Sequence, residues 1–230
     1  MRYRKKMIVT DLDGTLLRDD KTVSDITKST LHRCRDAGIK TVFATGRGEN
    51  STCGVERVVP AGLFDGYILN NGALAVAGDD IVYSRFVAED MTTPLLAVCE
   101  EMGLEYGFSR HGMELGKFWT FGCTPKISIL LEARLNDDLY LIVARDGLGQ
   151  IMHKDATKAN AVAALARYWN IAQAEIVAFG DDLNDIDMLN YVGIGVAVAN
   201  ALDEVKAVVK YICDTNENDG MAKWLEENVL

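Results

Sequence analysis

Residues 7–17 read MIVTDLDGTLL, a short apolar run set directly against two carboxylates, Asp11 and Asp13, one residue apart. A buried charge is costly unless it is paired or bound to metal, and two acids this close repel one another. Either the run ends in a solvated turn, or something cationic is meant to sit between the acids. The apolar part is β-rich and ends at Gly14, a residue that permits a tight turn. Alternation along a strand would direct the Asp11 and Asp13 side chains to the same side.

Similar runs recur along the chain. KTVFATGR (40–47), GYILNNG (66–72), AEIVAFGDD (174–182), GIGVAVANA (193–201) and YICD (211–214) each close on small or polar residues. Helical patterns lie between them: Ser24 to Ala37 with Gly38 at a typical C-cap position, Lys158 to Asn170, and Leu202 to Val209. Continuous apolar strands alternating with helices indicate an α/β fold, a Rossmann-like parallel sheet covered on both faces. From about Tyr83 to Gln150 the pattern changes. One helix (Thr92–Met102) is followed by the strand candidates GLEYGFS, GKFWTFG, KISILLEA and DLYLIVARD. The expected organisation is therefore a core made of 1–82 and 151–230, with a small α+β cap domain inserted at 83–150.

Composition fits a soluble globular protein. Of the 230 residues 49% are hydrophobic and 25% charged, and the formal net charge is −10. That charge argues against nucleic acid or an anionic membrane as partner, while a local site or bound cation still allows an anionic substrate. The five cysteines (Cys34, Cys53, Cys99, Cys123, Cys213) form no CxxC pair and read as reduced thiols. No stretch is long enough to span a bilayer, and the apolar run after the basic start is too short for a signal peptide. A cytoplasmic location is expected, with the oligomeric state left open.

In open parallel sheets ligands bind beyond the carboxyl ends of the strands. Those ends carry Asp11 and Asp13, then Thr45-Gly46-Arg47, then Asn70-Asn71, then Asp181, Asp182 and Asp185. A turn or N-cap aspartate is common, so each acid alone has an ordinary explanation; four strands delivering polar groups to one edge do not. Asp181 and Asp185, four apart at a helix start, would share a face. An all-oxygen cluster without His or Cys suits Mg²⁺, which binds through a few carboxylates and a phosphate oxygen. Asp11 can attack phosphorus to give an aspartyl-phosphate, and Asp13 can act as general acid and then activate water. Thr45 offers a hydroxyl and Gly46 a backbone N–H to phosphate oxygens, while Lys158 supplies positive charge. Taken alone, Lys158 reads first as a solvated helix lysine.

DLDGT (11–15), ATGR (44–47), KANAVAAL (158–165) and GDDLNDIDML (180–189), in this order, resemble the four motifs of the haloacid dehalogenase superfamily. LNNGA (69–73), VANALDEVK (198–206) and NENDGMAKWL (216–225) extend the resemblance to its Cof-type, subclass IIB phosphatases. The resemblance implies Asp11 as nucleophile, Asp13 as acid/base, and Thr45 and Lys158 as phosphate binders. It implies Mg²⁺ held by Asp11, the Asp13 main-chain carbonyl and Asp181, with Asp185 a ligand or the orienter of a metal-bound water. Asn184 would support that region, and Arg47 and Asn71 match positions facing the substrate. The inserted segment, which aligns only by position, is short and resembles the compact caps of sugar-phosphate or phosphoglycolate phosphatases. VAVANA stands where VAMGNA is commoner, and Thr157 stands where Ser is usual.

Absent motifs narrow the field. There is no GxxxxGK[ST], and GIGVAV (193–198) and GRGENS (46–51) both lack the third small residue of GxGxxG. His32, His111 and His153 are scattered and read as surface or packing residues. FWTF (118–121) reads as a cap strand, and Arg110, His111 and Lys117 fall in expected cap turns from which they could reach the leaving group. The expected function is Mg²⁺-dependent hydrolysis of a small phosphorylated metabolite. A phosphomutase on the same scaffold, or a phospho-accepting signalling module without turnover, are the alternatives.

Overall fold

The computed structural model describes residues 3–49, 55–144 and 147–230. Cys53 and the end of the 138–146 strand candidate lie outside the described residues. The chain runs β1 (Met7–Thr10), α1 (Asp25–Asp36), β2 (Lys40–Ala44), α2 (Val55–Val58), β3 (Gly66–Leu69), β4 (Leu74–Ala77) and β5 (Asp80–Ser84). There follow α3 (Thr93–Met102), β6 (Tyr106–His111), β7 (Glu114–Thr120), α4 (Pro125–Glu132), β8 (Leu139–Val143) and β9 (Gly149–His153). It closes with α5 (Lys158–Tyr168), β10 (Ile176–Gly180), α6 (Ile186–Tyr191), β11 (Ile194–Val198), α7 (Asp203–Val208), β12 (Tyr211–Cys213) and α8 (Gly220–Asn228).

Two sheets result. The larger has the order β12-β11-β10-β1-β2-β3-β4-β5, parallel from β12 to β3 and antiparallel through the β4–β5 hairpin. Every residue of β1 and of β10 is buried, as strands covered on both faces must be. Phe179 meets Trp224 of α8 on one face, and α5 lies across β3 to β5. The second sheet, β6-β7-β9-β8, is wholly antiparallel. It has its own apolar cluster, in which Phe118, Leu115 and Ile151 pack with Leu95 and Cys99 of α3 and Ile127 and Leu131 of α4. Cys34, Cys99, Cys123 and Cys213 are buried free thiols. Among the described residues no helix is long and apolar enough to cross a membrane.

KISILLEA (126–133), expected as a strand, is helix α4. The β-branched isoleucines suggest a strand, but Thr124 caps the helix by accepting from the Ile127 N–H, and Pro125 occupies the first turn. Ile127 and Leu131, four apart, then share the buried face, while Ile129 is exposed. Strands β4, β5 and β9 are additions to the sequence reading. Because β5 belongs to the large sheet and β9 to the small one, boundaries at 82/83 and 150/151 each cut a strand. Arg110 and Lys117 stand in strands β6 and β7 rather than in turns, and His111 ends β6.

Candidate active site

The parallel order sets the carboxyl ends of β10, β1, β2 and β3 side by side, so the segments following them converge. Strand β1 stops at Thr10, and the chain then turns rather than alternating. In consequence Asp11 and Asp13 part company. Asp11 is buried and its Oδ1 accepts from Lys158 Nζ at 2.6 Å. Asp13 is 40% exposed at its side chain, and Arg47 grips it with two bonds of 2.7 Å while Lys21 adds a third at 2.9 Å. The two carboxylates thus have different partners, Lys158 for Asp11 and Arg47 with Lys21 for Asp13.

Lys158, the first residue of α5, is also buried and bridges two acids, reaching Asp185 Oδ1 at 2.6 Å as well. It is no solvated helix lysine. Asp181 and Asp185 do not share a helix face either. Asp181 follows β10 in a loop, whereas Asp185 stands just before α6 and turns its side chain back, its Oδ2 accepting from the N–H groups of Asp181 (3.0 Å) and Asp182 (3.2 Å). Even so, Asp11, Asp181 and Asp185 each bring one oxygen within 4.8 Å of the others. The carboxylate of Asp13 is not in that group. Thr15, unremarked in the sequence reading, donates to Asp181 Oδ1 at 2.7 Å.

Negative charge is in excess here. Burial pushes Asp11 well above the ordinary carboxylate range; Lys158 opposes it, and the charges of Asp185 and Asp181 add to it. Burial and Asp185 together push Asp181 up to about 7. Burial alone would lower Lys158, but Asp11 and Asp185 reverse that and keep its ammonium protonated. At Asp13 burial raises the carboxyl, and the hydrogen bonds from Arg47 and Lys21 outweigh it, so the net shift is downward.

Thr45 is buried, its Oγ1 accepts from the Arg47 N–H at 3.1 Å, and Gly46 follows at the rim. Asn70 and Asn71 both have positive φ, 51° and 55°, a conformation Asn tolerates better than most residues and one that clusters at functional sites. The turn aims Asn71 across the edge. Its Oδ1 accepts from Asn184 Nδ2 at 2.9 Å, and its Nδ2 donates to Gln150 Oε1 at 3.2 Å. Lys117 Nζ donates to the same Gln150 oxygen and to the Gly46 carbonyl, both at 2.7 Å. Gln150 escaped the sequence reading because β9 did. None of His32, His111 and His153 joins the trio of Asp11, Asp181 and Asp185; His111 pairs with Glu49 at 2.8 Å.

The carboxyl edge of the large sheet thus gathers an acidic trio and a buried lysine, with Lys117 and Gln150 of the insert reaching the same edge. Residues 8–117 and 124–225 match the family described as haloacid dehalogenase-like hydrolase, and the chain belongs to that family. Among its relatives is a 5-amino-6-(5-phospho-D-ribitylamino)uracil phosphatase of Bacillus subtilis, 27% identical over 272 aligned positions covering 99% of this chain and 98% of the relative. A phosphoglycolate phosphatase of Methanoculleus marisnigri is 29% identical over 234 positions, covering 95% and 94%. A subclass IIB sugar phosphatase superposes with a TM-score of 0.87 at 23% identity, covering 97% of this chain and 98% of the other. A phosphatase of the same superfamily from Bacteroides thetaiotaomicron gives 0.85 at 24% identity over 97% and 94%. At these identities the structural matches speak to the fold.

Proposed function

We propose that the protein is a Mg²⁺-dependent phosphomonoesterase acting on a small phosphorylated metabolite, a sugar phosphate or phosphoglycolate-like compound, through an aspartyl-phosphate on Asp11. The observation that carries this reading is the buried Asp11 oxygen held at 2.6 Å by Lys158 beside two further acids. Family membership and the phosphatase names of its relatives support it.

In this reading Lys158, the Thr45 hydroxyl and the Gly46 N–H receive the phosphoryl oxygens. The Asp11 oxygen not held by Lys158 attacks phosphorus, and the bond to the leaving oxygen breaks. Asp13 gives that oxygen its proton, and then takes one from the water that attacks the aspartyl-phosphate. The Arg47 and Lys21 bonds keep Asp13 ionised, the form needed as base; its acid role requires those cations to turn toward the substrate. Asn71 and Asn184 brace the edge.

The donor set fits a divalent cation: oxygen atoms only, clustered, with Asp181 pushed up to about 7 by burial and by the charge of Asp185. Asp11, Asp181 and the Asp13 main-chain carbonyl would hold it, and when bound it would neutralise phosphoryl oxygen charge. Asp185, whose oxygens accept from Lys158 and two N–H groups, is in this reading the residue that orients a metal-bound water. Gly14 gives an independent check. At φ +82° it lies so close that a Cβ would stand 2.5 Å from Asp181 Oδ2. Gly14→Ala is expected to displace Asp181 and weaken Mg²⁺ binding roughly 10- to 100-fold, read by titrating Mg²⁺ against melting temperature. Unchanged affinity would remove Asp181 from the ligand set.

The function itself is tested by phosphate release from a panel of phosphorylated metabolites with Mg²⁺ and with EDTA. Release that EDTA abolishes is expected. No release from any ester, including a generic aryl phosphate, would overturn the reading.

A further inference from the structure

The small sheet has two faces. Phe118, Ile151 and Leu141 turn toward α3 and α4, so Lys117, Trp119, Gln150, Met152, Tyr140 and Ile142 alternate onto the other face, which looks down on the carboxyl edge of the large sheet. This face is a roof over the site. Lys117 and Gln150 reach down from it to Gly46 and Asn71.

Among these six residues Lys117 is the one with a formal charge, and a local irregularity positions it. Along β6 and β7, Ser109 pairs with Lys117 but Arg110 pairs with Leu115, leaving Gly116 as an extra residue. Such a bulge resets the alternation of its strand. It lets Leu115 and Phe118 both enter the apolar cluster while Lys117 faces the site. Gly116 also makes the close approach possible, since a Cβ there would stand 2.5 Å from Asn70 Nδ2.

The Lys117 ammonium is buried, with 7% of the residue exposed, and forms no ion pair among the described residues. It donates to two neutral oxygens, those of Gly46 and Gln150, so its third N–H donor has no partner among the described residues. A buried, unpaired charge is held at a cost that an arriving anion would relieve. Asn70 Oδ1, in the same seam, is buried without a hydrogen-bond partner. Burial pushes Lys117 down to about 8, consistent with the lack of a nearby acid.

Resting on the phosphatase reading above, we propose that Lys117 determines specificity by binding a negative charge on the leaving group. A phosphoester with phosphorus at Asp11 on the floor extends its alcohol portion toward the roof, where Lys117 waits. The substrate class is then a phosphomonoester of an anionic alcohol, bearing a carboxylate or a second phosphate, in preference to a neutral polyol phosphate.

The test compares kcat/KM for 2-phosphoglycolate, a sugar bisphosphate and glycerol 2-phosphate in the wild type, Lys117→Met and Lys117→Arg. The wild type is expected to prefer one of the two anionic-alcohol esters, and which one separates carboxylate from phosphate. Lys117→Met is expected to lower that preference at least about tenfold, mainly through KM, because a charge-assisted hydrogen bond is lost. Lys117→Arg is expected to restore part of it. A purely structural or phosphate-binding Lys117 would lower all three substrates by one factor, and that result overturns the proposal, as does a wild type that prefers glycerol 2-phosphate. If Lys117→Met does not fold, Lys117→Gln reads the same ratio. Failure of the wild type to release phosphate from every ester overturns the phosphatase reading, and this inference falls with it.

Discussion

Asp11→Asn is expected to lower phosphate release by about four orders of magnitude or more while the protein folds as before. The amide keeps the shape of the carboxylate but is too poor a nucleophile to form a phosphoenzyme. The fold has no need of the charge. In the wild type burial and the neighbouring Asp185 and Asp181 work against ionisation of Asp11, and Lys158 has a second carboxylate partner in Asp185, at 2.6 Å. The melting temperature in EDTA should therefore hold or rise. Phosphate release and a thermal melt on one preparation decide the matter. Turnover within tenfold of wild type in a correctly folded variant would remove Asp11 as nucleophile, and a collapse of stability would recast it as a structural partner of Lys158.

The parts of the fold legible in the sequence are those where one physical demand dominates. Strands β1, β2, β3, β10 and β11 are buried on both faces and read as unbroken apolar runs ending in small or polar residues. Strand β4, LAVA (74–77), is four residues long with two alanines and one β-branched residue, and β5 opens on Asp80, so neither carries a strong strand signal. Strand β9 lies in GQIMH, where Gln150 and Met152 face the site and Ile151 the apolar cluster. A polar residue serving the site disguises such a strand. In 126–133 the isoleucines outweighed the Thr-Pro start, which was the better signal.

The site was legible as a set of residues but not as a set of contacts. Motif spacing brought Asp11, Asp181, Asp185 and Lys158 together, and the structure juxtaposes them. It could not show that Arg47 and Lys21 occupy Asp13, because the three residues belong to separate segments and the pairing depends on where β1 ends. Nor could it show that Asp185 spends its oxygens locally. Lys117 was noticed as a possible substrate contact, yet its direction depends on a one-residue bulge that no periodicity reveals.

Lys158→Met is the second large effect, and its signature lies in pH. Removing the ammonium leaves Asp11 and Asp185 buried, with the partner that held both at 2.6 Å gone. Breaking a buried pair from one side costs about 3–5 kcal/mol, and loss of a charge facing the phosphoryl group should lower kcat by roughly 100- to 1,000-fold. The stability loss should not be uniform. Asp11 is already raised in the folded protein and Asp181 stands at about 7, and Lys158 restrains both. An acid whose folded pKa exceeds its unfolded value keeps its proton longer in the folded state. Stability then falls as pH rises from the ordinary carboxylate range near about 4 toward the raised value. Without Lys158 that upper limit moves higher and the fall deepens. Urea unfolding in EDTA should thus show the variant close to wild type near pH 4.5 and far less stable at pH 7.5. An equal deficit at both pH values would mean that Lys158 stabilises by packing its four-carbon stem, and that the acids it touches are not the source of its effect. A divalent cation distinguishes the two cases again. It can replace charge but not packing, so Mg²⁺ should recover part of the loss at pH 7.5 if the acids are its cause.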